Sequence, residues 1–283
     1  MNFGLHVSAA GGVANAPDNA KAFGCETFQF FTRSPRGGAA PKLTPATVNT
    51  FKAKCAVAGF SHYYVHAPYF VNFASTDNRI YHGSISIVRE ELERSSRLGV
   101  TALMTHIGSA KELTRDEALT KVVDGVIKLL TGYKGSAQFL LEISAGAGNV
   151  IGDTFEEIAE IIRRAQPKVK TEIGVCFDTA HAFASGYDLR TRKNVYDVVR
   201  KFDAIIGLDR LVVIHGNDSK VDINERRDRH WHIGQGKIGL EGFRAIINHP
   251  KLKKIDMILE TPDDSDNGSW DKKNMAAVKK LRQ

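Results

Sequence analysis

The densest chemistry in the sequence lies between His215 and Gly236, in the run HGNDSKVDINERRDRHWHIGQG. It opens on a histidine at the end of an apolar stretch, LVVIH, and closes on the triplet Asp228-Arg229-His230. In extended backbone, side chains alternate with period two, so Asp228 and His230 point to one side. A carboxylate and an imidazole on one face are half of a zinc-type coordination shell. Lys220, Arg226, Arg227 and Arg229 lie in the same run and suit a polyanion held beside metal ions.

Upstream, Asp178-Thr-Ala-His181 sets a carboxylate and an imidazole three positions apart. His181 with Asp228 and His230 would make an open three-residue site of the catalytic type. Glu142 ends the most apolar strand candidate, FLLEI, where one carboxylate could bridge two metals. His66, His106, Asp178, His215 and Glu260 supply terminal ligands on either side. Nitrogen and oxygen donors without cysteine favour zinc, manganese or iron. Taken singly, each of these residues reads as an ordinary solvated or hydrogen-bonded polar group. Their spacing argues otherwise: from His66 to His106, Glu142, Asp178, His215 and Glu260 the steps are 40, 36, 36, 37 and 45 positions. Each step is about one β/α unit long.

The elements that must position them read clearly. Strand candidates fall at 3–8, 26–32, 62–68, 102–108, 138–144, 173–179, 211–215 and 256–261. Helical patterns at 44–59, 78–99, 115–130 and 155–165 lie between them, the last with Thr154 as N-cap and Glu157 as its capping-box partner. Eight β-then-α units with near-continuous apolar strands predict a single (β/α)8 TIM barrel over residues 1–283. Chemistry in such barrels sits at the C-terminal strand ends, where these residues fall. His6 also ends a strand and is expected beside the ligands. His232 is expected to approach substrate, and Trp231 to pack outward.

The 283 residues are 42% hydrophobic and 25% charged, with a net charge of +7 and a pI near 9.2. This favours an acidic partner and excludes a disordered chain. The three cysteines, Cys25, Cys55 and Cys176, are odd in number and form no C-x-x-C pair. They read as free thiols in a reducing compartment. No apolar stretch approaches the ~18 residues of a membrane span, and no signal-peptide pattern opens the chain. A cytoplasmic protein with no membrane contact is expected.

Over essentially its whole length the sequence resembles the endonuclease IV family of apurinic/apyrimidinic (AP) endonucleases. The resemblance rests on GLHVSAAGG, HAPYFVN, CFDTAHAFASGYDLR, HGNDSK, DRHWHIGQGKIG and LETP, in family order. It implies a TIM barrel with three zinc ions, manganese or iron being compatible with one position. His66, His106 and Glu142 would hold the first ion. Glu142, Asp178, His215 and Glu260 would hold the second, and His181, Asp228 and His230 the third. The implied reaction hydrolyses duplex DNA 5′ of an abasic site, with Glu142 as the bridging catalytic carboxylate. It leaves 3′-hydroxyl and 5′-deoxyribose phosphate ends, and the same activity would remove 3′ blocking groups. Arg36 matches an arginine that penetrates DNA, and Tyr69 an aromatic that intrudes at the lesion. A monomer is expected. Two departures stand out: Ile143, Ser144 and Ala147 replace polar residues after Glu142, and Gly37 and Gly38 stand where glutamine and tryptophan are often found. The alternatives are a metal-dependent sugar isomerase or epimerase on a related barrel, and a non-catalytic DNA-binding protein. The first leaves Asp228 and His230 without work. The second requires a missing ligand, and none is missing.

Overall fold

The computed structural model describes residues 1–262 and 268–283. In chain order the elements are β1 (Phe3–His6), α1 (Ala16–Ala22), β2 (Thr27–Phe30), α2 (Pro45–Ala58), β3 (Tyr64–His66), α3 (Asn78–Leu98), β4 (Ala102–Thr105), α4 (Arg115–Leu130), β5 (Gln138–Glu142) and α5 (Phe155–Ala165). There follow β6 (Ile173–Asp178), α6 (Thr179–Ala184), α7 (Arg192–Ile205), β7 (Leu211–His215), β8 (Asp218–Ser219), β9 (His230–Trp231), α8 (Gly239–Ile247), β10 (Asp256–Leu259) and α9 (Ser269–Leu281). Strands β1 to β7 and β10 close into a parallel barrel in the order β1-β10-β7-β6-β5-β4-β3-β2. All eight strand candidates are therefore barrel strands, most of them shorter than the apolar runs suggest. The remaining residues of those runs turn out of the barrel to build the loops at its mouth.

Local sequence sets the helix ends. Thr44 accepts from the Thr47 N–H with Pro45 at the first turn, and Asp77 accepts from the N–H groups of Arg79 and Ile80. The α5 N-cap is Thr154, as expected, but Glu157 does not return to cap it. Its carboxylate instead accepts from Arg115 (2.6 Å) and from the Gly152 N–H (2.8 Å). The Arg115 guanidinium, with the Gly152 N–H beside it, takes the carboxylate that the cap would use. The complete capping box is at Thr114 and Glu117 of α4.

Inside the barrel, Tyr64, Ala102, Met104, Leu140, Cys176, Val213 and Ile258 form one buried cluster. A Cβ on Gly4 would stand 2.1 Å from the Thr27 carbonyl oxygen, so strand closure there admits glycine alone. Outside it, Phe28 of β2 packs on Phe51, Phe60 and Tyr63. Each such ring contributes about 1.5–3 kcal/mol by burial. This two-sided packing makes the barrel a rigid frame for the residues at its rim. No helix among the described residues is long and apolar enough to cross a membrane.

Candidate metal centre

Register brings the predicted residues together. His66, Glu142, Asp178 and His215 are the last residues of β3, β5, β6 and β7, and His106 and Glu260 follow β4 and β10 directly. Asp178 pairs with His215 in register, and Glu142 with Cys176. Glu142 is fully buried at the centre. Its Oε2 lies 2.9 Å from His66 Nε2 and 3.8 Å from His106 Nε2. Its Oε1 lies 3.0 Å from His215 Nδ1, which is also 3.1 Å from Glu260 Oε2 and 3.8 Å from Asp178 Oδ2.

The third group comes from different elements. Asp178 is the N-cap of α6, and its Oδ1 accepts from the His181 N–H at 2.8 Å, which fixes His181 on the first turn. The β8–β9 ribbon carries His230 across from the β7 end, with Asp218 opposite Trp231 and Ser219 opposite His230. Asp228 Oδ1 then lies 3.2 Å from His181 Nε2 and 3.4 Å from His230 Nε2, and the two nitrogens are 3.3 Å apart. Ligand atoms about 2.0–2.1 Å from a tetrahedral zinc stand about 3.3 Å from one another. The trio meets that spacing on all three edges. Asp178 Oδ2, 3.5 Å from His230 Nε2, stands between the second and third groups.

Tautomers sharpen the fit. His66 Nδ1 donates to the Ala67 carbonyl (2.6 Å), His181 Nδ1 to the Ile143 carbonyl (2.9 Å) and His230 Nδ1 to the Glu260 carbonyl (3.1 Å). His215 Nε2 donates to Gln29 Oε1 at 2.8 Å. A carbonyl only accepts, so the proton of each neutral ring is committed outward and the other nitrogen turns a lone pair inward. Four lone pairs thus face carboxylate oxygens, and those of His181 and His230 face each other. Such a cavity repels itself unless protons or cations fill it. The outward N–H bonds are the support expected around metal-ligating histidines.

Electrostatics report the same charge balance. Burial alone would raise the Glu142 carboxyl, but His106, His215 and His66 hold it well below its ordinary range. Glu260 behaves alike against burial, through His215 and His6. Asp228 is also lowered against burial, chiefly by His181 and His230. Burial lowers His181, yet Asp178 and Asp228 carry it well above the usual imidazole value. For His215 the Cys176, Glu260 and Glu142 neighbours likewise outweigh burial, and for His66 Glu142 does. His106 is lowered by burial, and the neighbouring His66 and His181 add to the shift.

Two clefts flank the cluster. One of about 1120 Å³ runs from His6 past Ser8, Phe31 and Arg33 to Ser34 and Pro35, beside the loop of Arg36. The other, about 670 Å³, is lined by Tyr69, Phe70, His106, Ala147, His181 and Asp228. Tyr69 is 57% exposed, and its ring stands edge-on to Phe31 at 5.3 Å and tilted 5.6 Å from His66. Phe70 beside it is also exposed. Arg36 is exposed on its loop. Gly37 and Gly38 adopt φ of 114° and 93°, which side-chain-bearing residues rarely reach, so glycine there sets the loop backbone.

Other expectations need adjustment. His232 is buried, stacked on Trp270 at 3.8 Å with Asn274 beside it, so it packs against α9. Trp231 lies partly exposed beneath Lys220. At Ile143 the backbone carbonyl, not the side chain, holds His181. Sequence reasoning missed Gln29, fully buried in β2, whose Nε2 donates to Glu260 (2.6 Å) while its Oε1 holds His215. A glutamine between two phenylalanines of a core strand was the available signal. It also missed Asn217, which donates to Asp178 Oδ2 at 2.7 Å and accepts from the Glu260 N–H at 2.7 Å. Asp218 beside it is buried and accepts from the N–H groups of Gly234, Gly236 and Ile238, folding the loop that follows His230.

Comparison with known proteins agrees with this geometry. The family described as a xylose isomerase-like TIM barrel matches residues 17–282. A probable endonuclease 4 of Chlorobium phaeobacteroides is 41% identical over 92% of this chain and 91% of that protein. A probable endonuclease 4 of Methanoculleus marisnigri is 39% identical over 98% of each. The crystal structure of endonuclease IV from Thermus thermophilus matches with a TM-score of 0.88 and 33% identity, over 99% of this chain and 98% of that one.

Proposed function

Because the chain belongs to the endonuclease IV family of xylose isomerase-like TIM barrels, we propose that it is a DNA-repair endonuclease cutting duplex DNA 5′ of abasic sites. Water attacks the phosphorus, the bond to the 3′ oxygen breaks, and that oxygen leaves with a proton as a 3′-hydroxyl. The 5′-deoxyribose phosphate stays on the other fragment. The same displacement at a blocked 3′ end would release the blocking group. The working unit is one domain and a monomer, and its place is the cytoplasm.

The observation that carries the reading is the set of inward lone pairs facing carboxylates, with outward N–H groups committed to oxygens. That donor set fits three zinc ions. His66, His106 and Glu142 would hold one; Glu142, Asp178, His215 and Glu260 a second; His181, Asp228 and His230 the third. When bound, such ions supply Lewis-acid charge and a water acidic enough to attack at neutral pH. The chain's own residues do the rest. Glu142 sits between the first two groups and ties their positions together. Gln29 and Asn217 hold His215, Asp178 and Glu260 in place. Tyr69 and Phe70 present apolar surface beside the cluster, suited to the gap an abasic site leaves in the base stack, and Arg36 is free to reach the backbone. The +7 net charge draws the polyanion in.

The test is a labelled duplex with one abasic site, cut with and without chelator, alongside metal analysis. Chelator-sensitive incision 5′ of the site with about three zinc per chain is expected. Binding should also weaken steeply with salt. No incision, or an affinity flat in salt with turnover of a ketose sugar, would replace this reading with the isomerase.

A further inference from the structure

Asp153, between β5 and α5, is a carboxylate that neither the metal cluster nor the α5 cap uses. It is only 2% exposed. Two guanidinium groups close on it: Arg115 on Oδ1 and Arg226 on Oδ2. Arg115 is itself pinned, to Glu157 (2.6 Å) and to the Val150 carbonyl (2.5 Å). Arg226 also donates through Nε to the Gly146 carbonyl at 3.0 Å. A buried carboxylate between two arginines is strongly held, and removing Arg226 leaves Oδ2 without its guanidinium while Arg115 keeps Oδ1.

What Arg226 carries gives this network its use. Arg226 has φ of 55° and Asn224 φ of 62°, left-handed backbone that non-glycine residues adopt only when their surroundings hold them there. The N–H groups of Asn224 and Arg226 donate to the Phe183 and Ala184 carbonyls at the end of α6, the helix that bears His181. Beyond Arg226, the Arg229 carbonyl accepts from the Lys220 N–H at 2.9 Å, beside the ribbon that bears His230. Asp228 sits between these two anchorages. Its side chain is 50% exposed, and the imidazoles of His181 and His230 lie 3.2 and 3.4 Å from it. The ribbon fixes one side of Asp228, and Arg226 fixes the other.

We infer that Asp153 and Arg226 form a clasp that positions Asp228 for metal binding at the His181–Asp228–His230 trio. The clasp acts in two ways. It holds the left-handed turn that aims Asp228 inward. It also occupies a guanidinium two residues away that would otherwise be free to neutralise the Asp228 carboxylate in place of a metal. Both are positioning roles, since neither Asp153 nor Arg226 touches the trio. The inference rests on the functional reading above.

Zinc is the probe. Purified wild type, Asp153→Asn, Arg226→Ala and Arg226→Lys are titrated against a chromophoric chelator, and steady-state incision and the melting temperature of the metal-free proteins are measured in parallel. Asp153→Asn and Arg226→Ala should each weaken one zinc equivalent of three by about tenfold or more, as outer partners of metal ligands do. The other two should be unchanged, kcat should fall more than KM rises, and Arg226→Lys should recover part of the loss. The double variant should be no worse than the weaker single one, because the two residues act as one unit. Arg226 is half-exposed, so its alanine variant should fold even where Asp153→Asn does not. Three zinc equivalents at wild-type affinity in Arg226→Ala would overturn the inference. So would equal weakening of all three, which marks a general scaffold role, or a rise in KM alone, which marks a DNA contact. A wild type with fewer than three zinc equivalents fails differently: it removes the functional reading itself.

Discussion

Glu142→Gln changes one atom and almost no volume, which makes it the most direct test of the centre. Glu142 is fully buried, with imidazole nitrogens at 2.9, 3.0 and 3.5 Å from its oxygens and a fourth at 3.8 Å. An amide keeps the shape and removes the charge. A unit charge pair about 3 Å apart is worth about 5 kcal/mol at an effective dielectric near 20. Relief of carboxylate desolvation returns part of this, and breaking a buried pair typically costs about 3–5 kcal/mol net. At 1.36 kcal/mol per decade, that range is a loss of about 10²–10⁴ in rate if the charge is needed as the phosphodiester reacts. Because the carboxylate stands between two metal groups, both should weaken together. The assay is single-turnover incision of an abasic duplex at saturating enzyme, with zinc content measured on the same sample and circular dichroism checking the fold. A folded variant that cuts within tenfold of wild type would refute the shared role of Glu142.

His230→Ala should lose about one zinc equivalent and retain two, because its Nε2 serves only the third group; retention of all three would show that it is no ligand. Arg36→Ala should leave zinc content unchanged and raise the duplex concentration for half-maximal rate about tenfold or more, the loss of one charge-assisted contact. If its preference for abasic over intact DNA equals that of wild type, the lesion is read elsewhere. The metal-free protein should show a characteristic pH profile in its melting temperature. His66, His181 and His215 are raised on folding, so their contribution is complete below about 6.5 and fades as pH climbs through their folded values. Glu142, Glu260 and Asp228 are lowered, so theirs is present above the ordinary carboxylate range and fades as pH falls through the folded values. Stability without metal should therefore decline as pH rises above about 6.5, and zinc, which needs neutral imidazoles, should cancel the decline. A metal-free protein that gains stability above that pH would contradict this charge balance.

Much of this molecule is readable without coordinates. Apolar runs alternating with helical patterns determine eight β/α units, and a parallel barrel places every strand's C-terminal end at one mouth. His66, Glu142, Asp178 and His215 end their strands, so their convergence follows from the repeat alone. Gly59 and Gly99, left-handed at 79° and 78°, end their helices for equally local reasons. Tertiary structure decided what depends on partners distant in sequence. Gln29 reaches His215 across 186 positions and Glu260 across 231. The rotation of each imidazole depends on which carbonyl meets its outward nitrogen, and no spacing rule states that. Glu157 satisfies the local capping pattern, yet Arg115, 42 positions earlier, takes its carboxylate. The stacking of His232 on Trp270 of α9 joins residues 38 positions apart. Residue type and period determine where a side chain can stand, because they act over one turn or one pleat. Protonation, rotamer and ligand geometry follow from the electrostatics and packing of the closed barrel, and these exist only once all eight strands have met.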